Sequence, residues 1–218
     1  AIEDTLSRIG AKKAVGIALD PKTGGVLAMV SIPGFDSNLF SQGISKAQYE
    51  EIVSDPLHPF FNRAVSGTYP TGSTIKPLIA SAALEEHIID PDKELLTHGY
   101  IEIPNEYDPT IVYRFADNAD HGLVDMRDAI AVSSNVYFYT IGGGYEDQQG
   151  LGPTRMKEYL LRFGWGAQTG IDLPSEAEGL IPDPAWKKQA KGEGWWDGDT
   201  YLFSIGQGNV LATPLQVA

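Results

Sequence analysis

The stretch Tyr69-Pro70-Thr71-Gly72-Ser73-Thr74-Ile75-Lys76-Pro77 opens the pattern of a buried helix. The residues that follow, as far as Ile89, are mostly apolar or alanine, which favours a helix packed inside the protein. Pro77 has no backbone N–H and is tolerated only in a first turn, so the sequence predicts that the helix begins at or near Ser73. The helix is predicted to end before Asp90-Pro91, because a residue that precedes proline avoids helical angles.

Ser73 and Lys76 are the candidate catalytic residues of this stretch. They lie one turn apart on the same helix face, and no other serine of the chain has a lysine three residues later. The Ser73 N–H lies at the positive end of the helix dipole without a helical partner. We expect Lys76 to be buried within hydrogen-bond reach of both Ser73 and Ser133, and burial lowers a lysine pKa toward that of a usable base. The alternative is a capping serine followed by a solvated lysine.

The composition is that of an acidic, cysteine-free chain with enough apolar residues for a core. Its 218 residues are 42% hydrophobic, which suits one large domain or one domain with an appendage. The formal charge of 16 − 29 = −13 makes nucleic acid and anionic membranes poor partners. The absence of cysteine excludes disulfides and thiolate metal sites.

The N-terminal part of the chain is predicted to begin an antiparallel sheet. Residues 14–19 and 26–30 have the composition of strands. Between them, Asp20-Pro21-Lys22-Thr23-Gly24-Gly25 is typical of a hairpin turn, because its proline and glycines favour turn dihedral angles. The sequence therefore predicts a β-hairpin here.

Helices are predicted on both sides of Ser133-Ser134-Asn135, residue types that favour loops and caps. Short strands are expected at 100–103 and 111–115, and residues 165–199 are predicted to be a structured loop. Thr213-Pro214 has the chemistry of an N-cap followed by a first helical residue. The other predicted helices cover residues 1–10 (with Ile2, Leu6 and Ile9 on the apolar side), 45–53, 124–132, 136–141 and 153–163.

Two motifs, in this order, resemble those of the penicillin-recognising serine enzymes. The first is Ser73-Thr74-Ile75-Lys76, and the second is Ser133-Ser134-Asn135. Three further pieces narrow the resemblance: the first is similar to the class B penicillin-binding transpeptidases, and the other two to their elongation-type group, penicillin-binding protein 2. These pieces are the hairpin of residues 19–31, Gly198-Asp199-Thr200, and residues 204–216 with Gly206-Gln207-Gly208 and Thr213-Pro214.

The resemblance implies an α+β fold, the penicillin-binding transpeptidase or serine β-lactamase-like fold, with an antiparallel sheet packed by helices. It implies a peptidoglycan DD-transpeptidase in which Ser73 attacks a stem peptide ending in D-Ala-D-Ala, releases the last D-Ala and forms an acyl-enzyme. Lys76 would take the serine proton, and Ser133 would pass a proton between Lys76 and the leaving amine. Asn135 would bind the substrate amide. β-Lactam antibiotics would acylate Ser73, and no cofactor is implied.

The third motif of this family, a Lys-Thr/Ser-Gly strand, has no match after Asn135. Lys22-Thr23-Gly24 has the right letters but precedes the nucleophile, and it is interpreted as part of the hairpin turn. We therefore expect residues 1–218 to be the N-terminal two-thirds of a single transpeptidase domain. The C-terminal strands would be missing from this chain and supplied by a further segment or a second chain.

The resemblance also implies partners and a location. The partners would be the cell-wall elongation machinery, and the location the extracytoplasmic face of the bacterial inner membrane, with the anchor removed. Two other interpretations stay open. A serine β-lactamase or β-lactam sensor has the same Ser-x-x-Lys motif that Ser73 and Lys76 form here, although a β-lactamase must also activate a deacylating water. A non-catalytic fragment or scaffold module would keep the fold without the chemistry.

Asp117, Asp120 and His121 have side chains that hold metals in other proteins. In some relatives of this family a cysteine of the second motif contributes to a zinc site, but Ser134 stands at that position here. The three residues are therefore interpreted as turn residues rather than ligands. The tryptophans at 195 and 196 and the tyrosines at 137 and 139 are interpreted as packing aromatics rather than as the wall of a stem-peptide groove.

Overall fold

The computed structural model describes residues 1–41, 43–105 and 107–218. No helix within these residues is long and apolar enough to cross a membrane. The strands β1 to β6 are Ala14–Leu19, Val26–Ile32, Leu95–Thr97, Tyr100–Pro104, Val112–Ala116 and Gly122–Val124. The helices α1 to α10 are Ile2–Ile9, Asn38–Ser41, Lys46–Ser54, Lys76–Glu85, Met126–Ala131, Asn135–Gly143, Gly152–Arg162, Pro184–Lys191, Asp197–Ser204 and Pro214–Val217.

Two compact units make up the described chain, and the first comprises residues 1–69, 167–179 and 212–218. Its sheet is the predicted hairpin, in which β1 and β2 pair antiparallel. The Asp20 carboxylate closes the turn by accepting hydrogen bonds from the Lys22 N–H (3.0 Å) and the Thr23 hydroxyl (2.8 Å). Gly24 has a φ of 71°, which glycine adopts without steric cost. The prediction of a turn at Lys22-Thr23-Gly24 is confirmed, and Lys22 is exposed.

The core of this first unit is small and lies against the hairpin. Ala64, Val65 and Leu215 are buried, and the apolar residues packed on them are Val15, Ile17, Leu19, Met29 and Ile171. Thr213 caps α10 as predicted, because its hydroxyl accepts from the Gln216 N–H at 3.1 Å. In α1, Leu6 is buried as expected, but the prediction for Ile9 is wrong, since 69% of its surface is exposed.

The second unit, residues 70–166 and 180–211, is organised around α6. This helix packs against α4, α7 and α9, and it also contacts β3, β4 and β5. The strands form two antiparallel pairs, β3 with β6 and β4 with β5. The side chains of Val136 to Ile141 are all buried, so α6 is a core helix on every side. The predicted α+β class with antiparallel pairing is confirmed.

Where α4 ends, the structure differs from the prediction. The helix stops at Glu85 rather than near Ile89. The next residues form a turn in which His87 has a φ of 51° and the Ile88 N–H bonds to the Ala83 carbonyl at 2.9 Å. The apolar pattern of the sequence extends past the end of α4 because Ile89, which lies in the turn after the helix, is also buried.

The prediction of a loop over residues 165–199 was wrong for α8 and for the first turn of α9, which begins at Asp197. Asp183 caps α8 by accepting from the Trp186 N–H at 2.6 Å, and Pro184 occupies the first turn. The predicted helix 124–132 also begins later than expected. Val124 pairs with Leu95 in β6, and the helix starts after Asp125. The remaining predicted helices agree with the structure to within two residues at each end.

A close approach of α6 to α9 gives a test of this packing. A Cβ on Gly142 would lie 2.3 Å from the Ser204 Cβ. Gly142→Ala is therefore expected to lower the free energy of unfolding by about 1–3 kcal/mol, despite the gain that alanine normally brings to a helix. Urea denaturation measures the change. Gly194→Ala is the matched control, because a Cβ there meets nothing within 4 Å; equal losses in both variants would contradict the account.

Candidate active site

The turn that carries Ser73 leads directly into α4. Gly72–Ile75 is a 3-10 turn, α4 begins at Lys76, and the Lys76 N–H bonds to the Ser73 carbonyl. Pro77 lies in the first turn of α4, as its missing N–H requires. Ser73 is exposed, whereas Ile75 and Lys76 are buried. The chain therefore presents a solvent-accessible hydroxyl one turn before a buried amine.

The Lys76 ammonium donates three hydrogen bonds, all of them to residues of the second motif. Its side chain is almost completely buried, with 2% exposure. Nζ donates to the Ser133 carbonyl at 2.7 Å, to Ser133 Oγ at 3.1 Å and to Asn135 Oδ1 at 2.8 Å. The expected contact with Ser133 is confirmed. The expected hydrogen bond to Ser73 is absent among the described residues, because a lysine has three donors and these partners use all of them.

The surroundings of Lys76 alter its acidity. Burial lowers its pKa to about 8, and the nearby charge of Asp117 acts in the opposite direction. The ammonium also lies 5.4 Å from the centre of the Phe138 ring, an arrangement that favours the charged form. With a pKa of about 8, roughly one Lys76 amine in ten is neutral at pH 7. The amine can therefore take up a proton near neutral pH, which an ordinary lysine cannot.

Ser133 reaches Lys76 from an unusual backbone conformation. Helix α5 ends at Ala131, and Ser133 has a φ of 57°, in the left-handed region that glycine normally occupies at a helix end. The Ser134 N–H returns to the Ala129 carbonyl at 2.9 Å, which completes the helix cap. A non-glycine residue in this conformation costs about 1–2 kcal/mol. Both oxygens of Ser133 accept hydrogen bonds from Lys76, and these bonds hold the strained residue in place.

Ser134, which the sequence analysis left without a role, is the N-cap of α6. Its hydroxyl accepts from the Tyr137 N–H at 3.2 Å and donates to Asp117 Oδ2 at 2.7 Å. Asp117 follows β5, and its side chain is completely buried. The carboxylate also accepts from the backbone N–H groups of Asn135 (2.7 Å) and Val136 (2.8 Å). The three consecutive residues of the second motif thus lie between Lys76 on one side and Asp117 on the other.

The other candidate metal ligands lie in the turn after β5. Asp120 accepts from the Gly122 N–H at 3.0 Å, as a turn residue does. His121 Nε2 is 2.7 Å from Asn118 Oδ1 and 3.9 Å from Asp117 Oδ1. Within residues 1–41, 43–105 and 107–218, no group of three or more His, Cys, Asp or Glu side chains is arranged to hold a metal ion.

Gly206 packs against the turn that carries Ser73, Gly72–Ile75, called here the Ser73 turn. The Gly72 N–H donates to the Gly206 carbonyl at 2.8 Å. Gly206 has a φ of 71°, and a Cβ there would lie 2.2 Å from the Gly72 carbonyl oxygen and 2.4 Å from Thr71 Oγ1. Only glycine fits at this position. The sequence analysis used Gly206 for the resemblance alone, because nothing local shows which backbone it will touch.

Of the four aromatic residues singled out in the sequence, two lie in the core and two line a cavity. Tyr137 and Tyr139 are buried in α6, as predicted. Trp195 is half-buried and donates to Thr200 Oγ1 at 2.8 Å, but Trp195 and Trp196 also line an open cavity of about 530 Å³ beside β4 and β5. Trp196 is 57% exposed. The interpretation of Trp196 as a packing residue is therefore wrong.

Residues 14–218 match the family model described as the penicillin binding protein transpeptidase domain. The chain belongs to this family. The match contains every residue of the site described above and both of the motifs from which the resemblance was drawn.

Individual relatives agree with this assignment. The peptidoglycan D,D-transpeptidase MrdA of Acinetobacter baumannii is 39% identical over 213 residues, which cover 97% of this chain and 30% of the relative. The crystal structure of Pseudomonas aeruginosa PBP2 in complex with WCK 5153 has a TM-score of 0.83 at 34% identity, covering 99% of this chain and 47% of that one. The complex of PBP2 and MreC from Helicobacter pylori gives 0.85 at 31% identity, with coverages of 99% and 38%. The chain spans about a third of the length of the curated relatives it matches.

The contact between Gly206 and the Ser73 turn can be tested without an activity assay. Gly206→Ala is expected to increase amide hydrogen exchange at Gly72 by about tenfold or more, because the added Cβ displaces the turn. Gly208→Ala is the matched control. It has a similar φ of 73°, but its Cβ would meet only Leu202 at an ordinary 3.5 Å. If Gly208→Ala increased the exchange at Gly72 equally, general backbone strain and not this contact would be the cause.

Proposed function

We propose that this chain carries the acylating part of a peptidoglycan DD-transpeptidase that works through a serine acyl-enzyme. The observation that carries the proposal is the buried Lys76 amine. It is hydrogen-bonded to Ser133 and Asn135 and lies one turn away from the exposed Ser73. Family membership and the name of the Acinetobacter relative support the reaction. The expected residues, Ser73, Lys76, Ser133 and Asn135, all lie in the second unit.

In the first half-reaction Ser73 Oγ forms a bond to the carbonyl carbon of the penultimate D-Ala. Its proton passes to the neutral Lys76 amine. When the tetrahedral intermediate collapses, the bond to the last D-Ala breaks, and its nitrogen receives a proton from Lys76 through the Ser133 hydroxyl. The hydrogen bond of 3.1 Å between Nζ and Ser133 Oγ supports this route. For Lys76 to receive the Ser73 proton, one of its three present hydrogen bonds must be exchanged.

In the second half-reaction the amine of a neighbouring stem peptide attacks the ester. A cross-link forms, and Ser73 Oγ leaves with the proton that the amine gives up. Asn135 is placed to bind the backbone amide of the stem, because its side chain is partly exposed. Its Oδ1 accepts from Lys76 at 2.8 Å, and its Nδ2 makes a long contact of 3.5 Å with the Ala116 carbonyl. The Ser73 N–H, near the start of its turn, would donate to the developing oxyanion.

The same site would be acylated by β-lactam antibiotics, since their strained amide imitates the D-Ala-D-Ala bond. We propose the cell-wall elongation machinery as the protein partner and the extracytoplasmic side of the membrane as the location. The complex of the Helicobacter pylori relative with MreC supports an assembly of this kind.

Mass spectrometry after reaction of the full-length protein with labelled penicillin tests the proposal. We expect a single stable adduct on Ser73 and its loss in Ser73→Ala. Ser81→Ala is the matched control, because Ser81 is an exposed serine of α4, the helix that follows Ser73, and its hydroxyl donates to the Pro77 carbonyl at 2.8 Å. An adduct that persists in Ser73→Ala would contradict the nucleophile assignment. Rapid release of hydrolysed penicillin would indicate a β-lactamase, and no adduct at all would indicate a non-catalytic module.

A further inference from the structure

We propose that Asp117 is a positioning residue for the second motif: its buried carboxylate fixes Ser134 and Asn135 and thereby fixes the groups that hold Lys76. The proposal rests on the function proposed above, and it adds a residue that neither motif contains. It starts from the burial of Asp117, whose side chain has no exposed surface. A carboxylate in such a place must have each oxygen satisfied by hydrogen bonds.

Both oxygens of Asp117 are satisfied, mainly by the start of α6. Oδ2 accepts from the Ser134 hydroxyl at 2.7 Å and the Val136 N–H at 2.8 Å. Oδ1 accepts from the Asn135 N–H at 2.7 Å and from the Asn118 N–H at 2.8 Å. Three of these four donors belong to consecutive residues of the second motif and α6. A single side chain therefore fixes the entry of α6, where the helix dipole also favours a negative charge.

The contact continues through Asn135 to Lys76. The backbone of Asn135 is held by Asp117, and its side-chain Oδ1 accepts from Nζ at 2.8 Å. Ser133, the other partner of Lys76, immediately precedes the fixed Ser134. Asp117 thus reaches the lysine through Asn135, without a direct ion pair among the described residues.

Charge adds a second effect to this geometry. Burial works against ionisation of Asp117, but the hydrogen bonds from Asn135, Ser134, Val136 and Asn118 outweigh it and lower its pKa. Its negative charge in turn favours the protonated form of Lys76.

The groups that face this carboxylate are few. Among the described residues they include His121, whose Nε2 lies 3.9 Å from Oδ1, and Tyr139, whose pKa is raised to about 12 by burial and by Asp117; Lys76 lies beyond Asn135. The charge of Asp117 acts on the titration of Lys76, whereas its hydrogen bonds act on the order of Ser134, Asn135 and Val136, so the two effects can be measured separately.

Asp117→Asn removes the charge while keeping the size of the side chain. The rate of acylation of Ser73 by a fluorescent penicillin is measured against pH in the full-length protein. We expect the plateau rate at high pH to fall about tenfold or more, since the amide cannot accept all four hydrogen bonds. We also expect the midpoint of the profile to move to lower pH, because the loss of a nearby negative charge lowers the pKa of Lys76.

Asp125→Asn is the matched control. Asp125 caps α5, the helix that leads to Ser133, by accepting from the Asp128 N–H at 2.8 Å. This variant loses the same charge and a similar cap, and its profile should keep both the midpoint and the plateau within about twofold. A plateau or midpoint unchanged in Asp117→Asn, or equal changes in Asp125→Asn, would overturn the proposal.

Hydrogen exchange separates this proposal from the proposed function. In Asp117→Asn the amides of Asn135 and Val136 should exchange about tenfold faster or more, whether or not the protein reacts with penicillin. Unchanged exchange overturns the positioning role, whereas an unreactive wild type overturns only the function. If Asp117→Asn does not fold, Ser134→Ala decides, because it removes one hydrogen bond to the carboxylate and leaves the charge in place. A slower plateau with an unchanged midpoint would support the proposal, and a wild-type plateau would overturn it.

Discussion

The Lys76 ammonium is almost completely buried in the second unit, where a charge without hydrogen-bond partners would be very unfavourable. Its three acceptors come from residues 57 and 59 positions further along the chain. To meet them, α4 must lie beside the turn between α5 and α6, and Ser133 must adopt a left-handed conformation. The strain in one residue is offset by the hydrogen bonds of the buried cation. Much of the arrangement around the candidate site follows from this single requirement.

The indirect contact between Lys76 and Asp117 has a chemical consequence. A direct ion pair with a carboxylate favours the protonated form of a lysine and makes it a poor base. Here Asn135 lies between the two charges, accepting from Lys76 through its side chain and donating to Asp117 through its backbone. Burial is therefore the larger effect on Lys76, and its pKa is about 8. Under the function proposed above, Asp117 would order the site without holding Lys76 in its protonated form.

Local chemistry predicted much of the structure. Pro77 fixed the beginning of α4, and the residues of the turn after β1 determined the hairpin, because each acts through neighbours only a few positions away. Ser133 and Asn135 were linked to Lys76 by the family resemblance and not by any pattern in the chain. The contacts of Asp117 with α6 and of Gly206 with the Ser73 turn are tertiary, and no periodicity or spacing reveals them. The missing hydrogen bond between Lys76 and Ser73 could not be predicted for the same reason, since it depends on which acceptors the tertiary structure places around Nζ.

The most direct test of this account is the titration of Lys76 itself, followed by ¹⁵N NMR of the lysine side chains, with Lys76→Arg to assign the signal. The account predicts that one lysine signal, absent in the variant, titrates near pH 8. A Lys76 that titrates at about 10 or above would show that its amine is solvated or directly ion-paired, and would contradict the central claim that burial makes it a base.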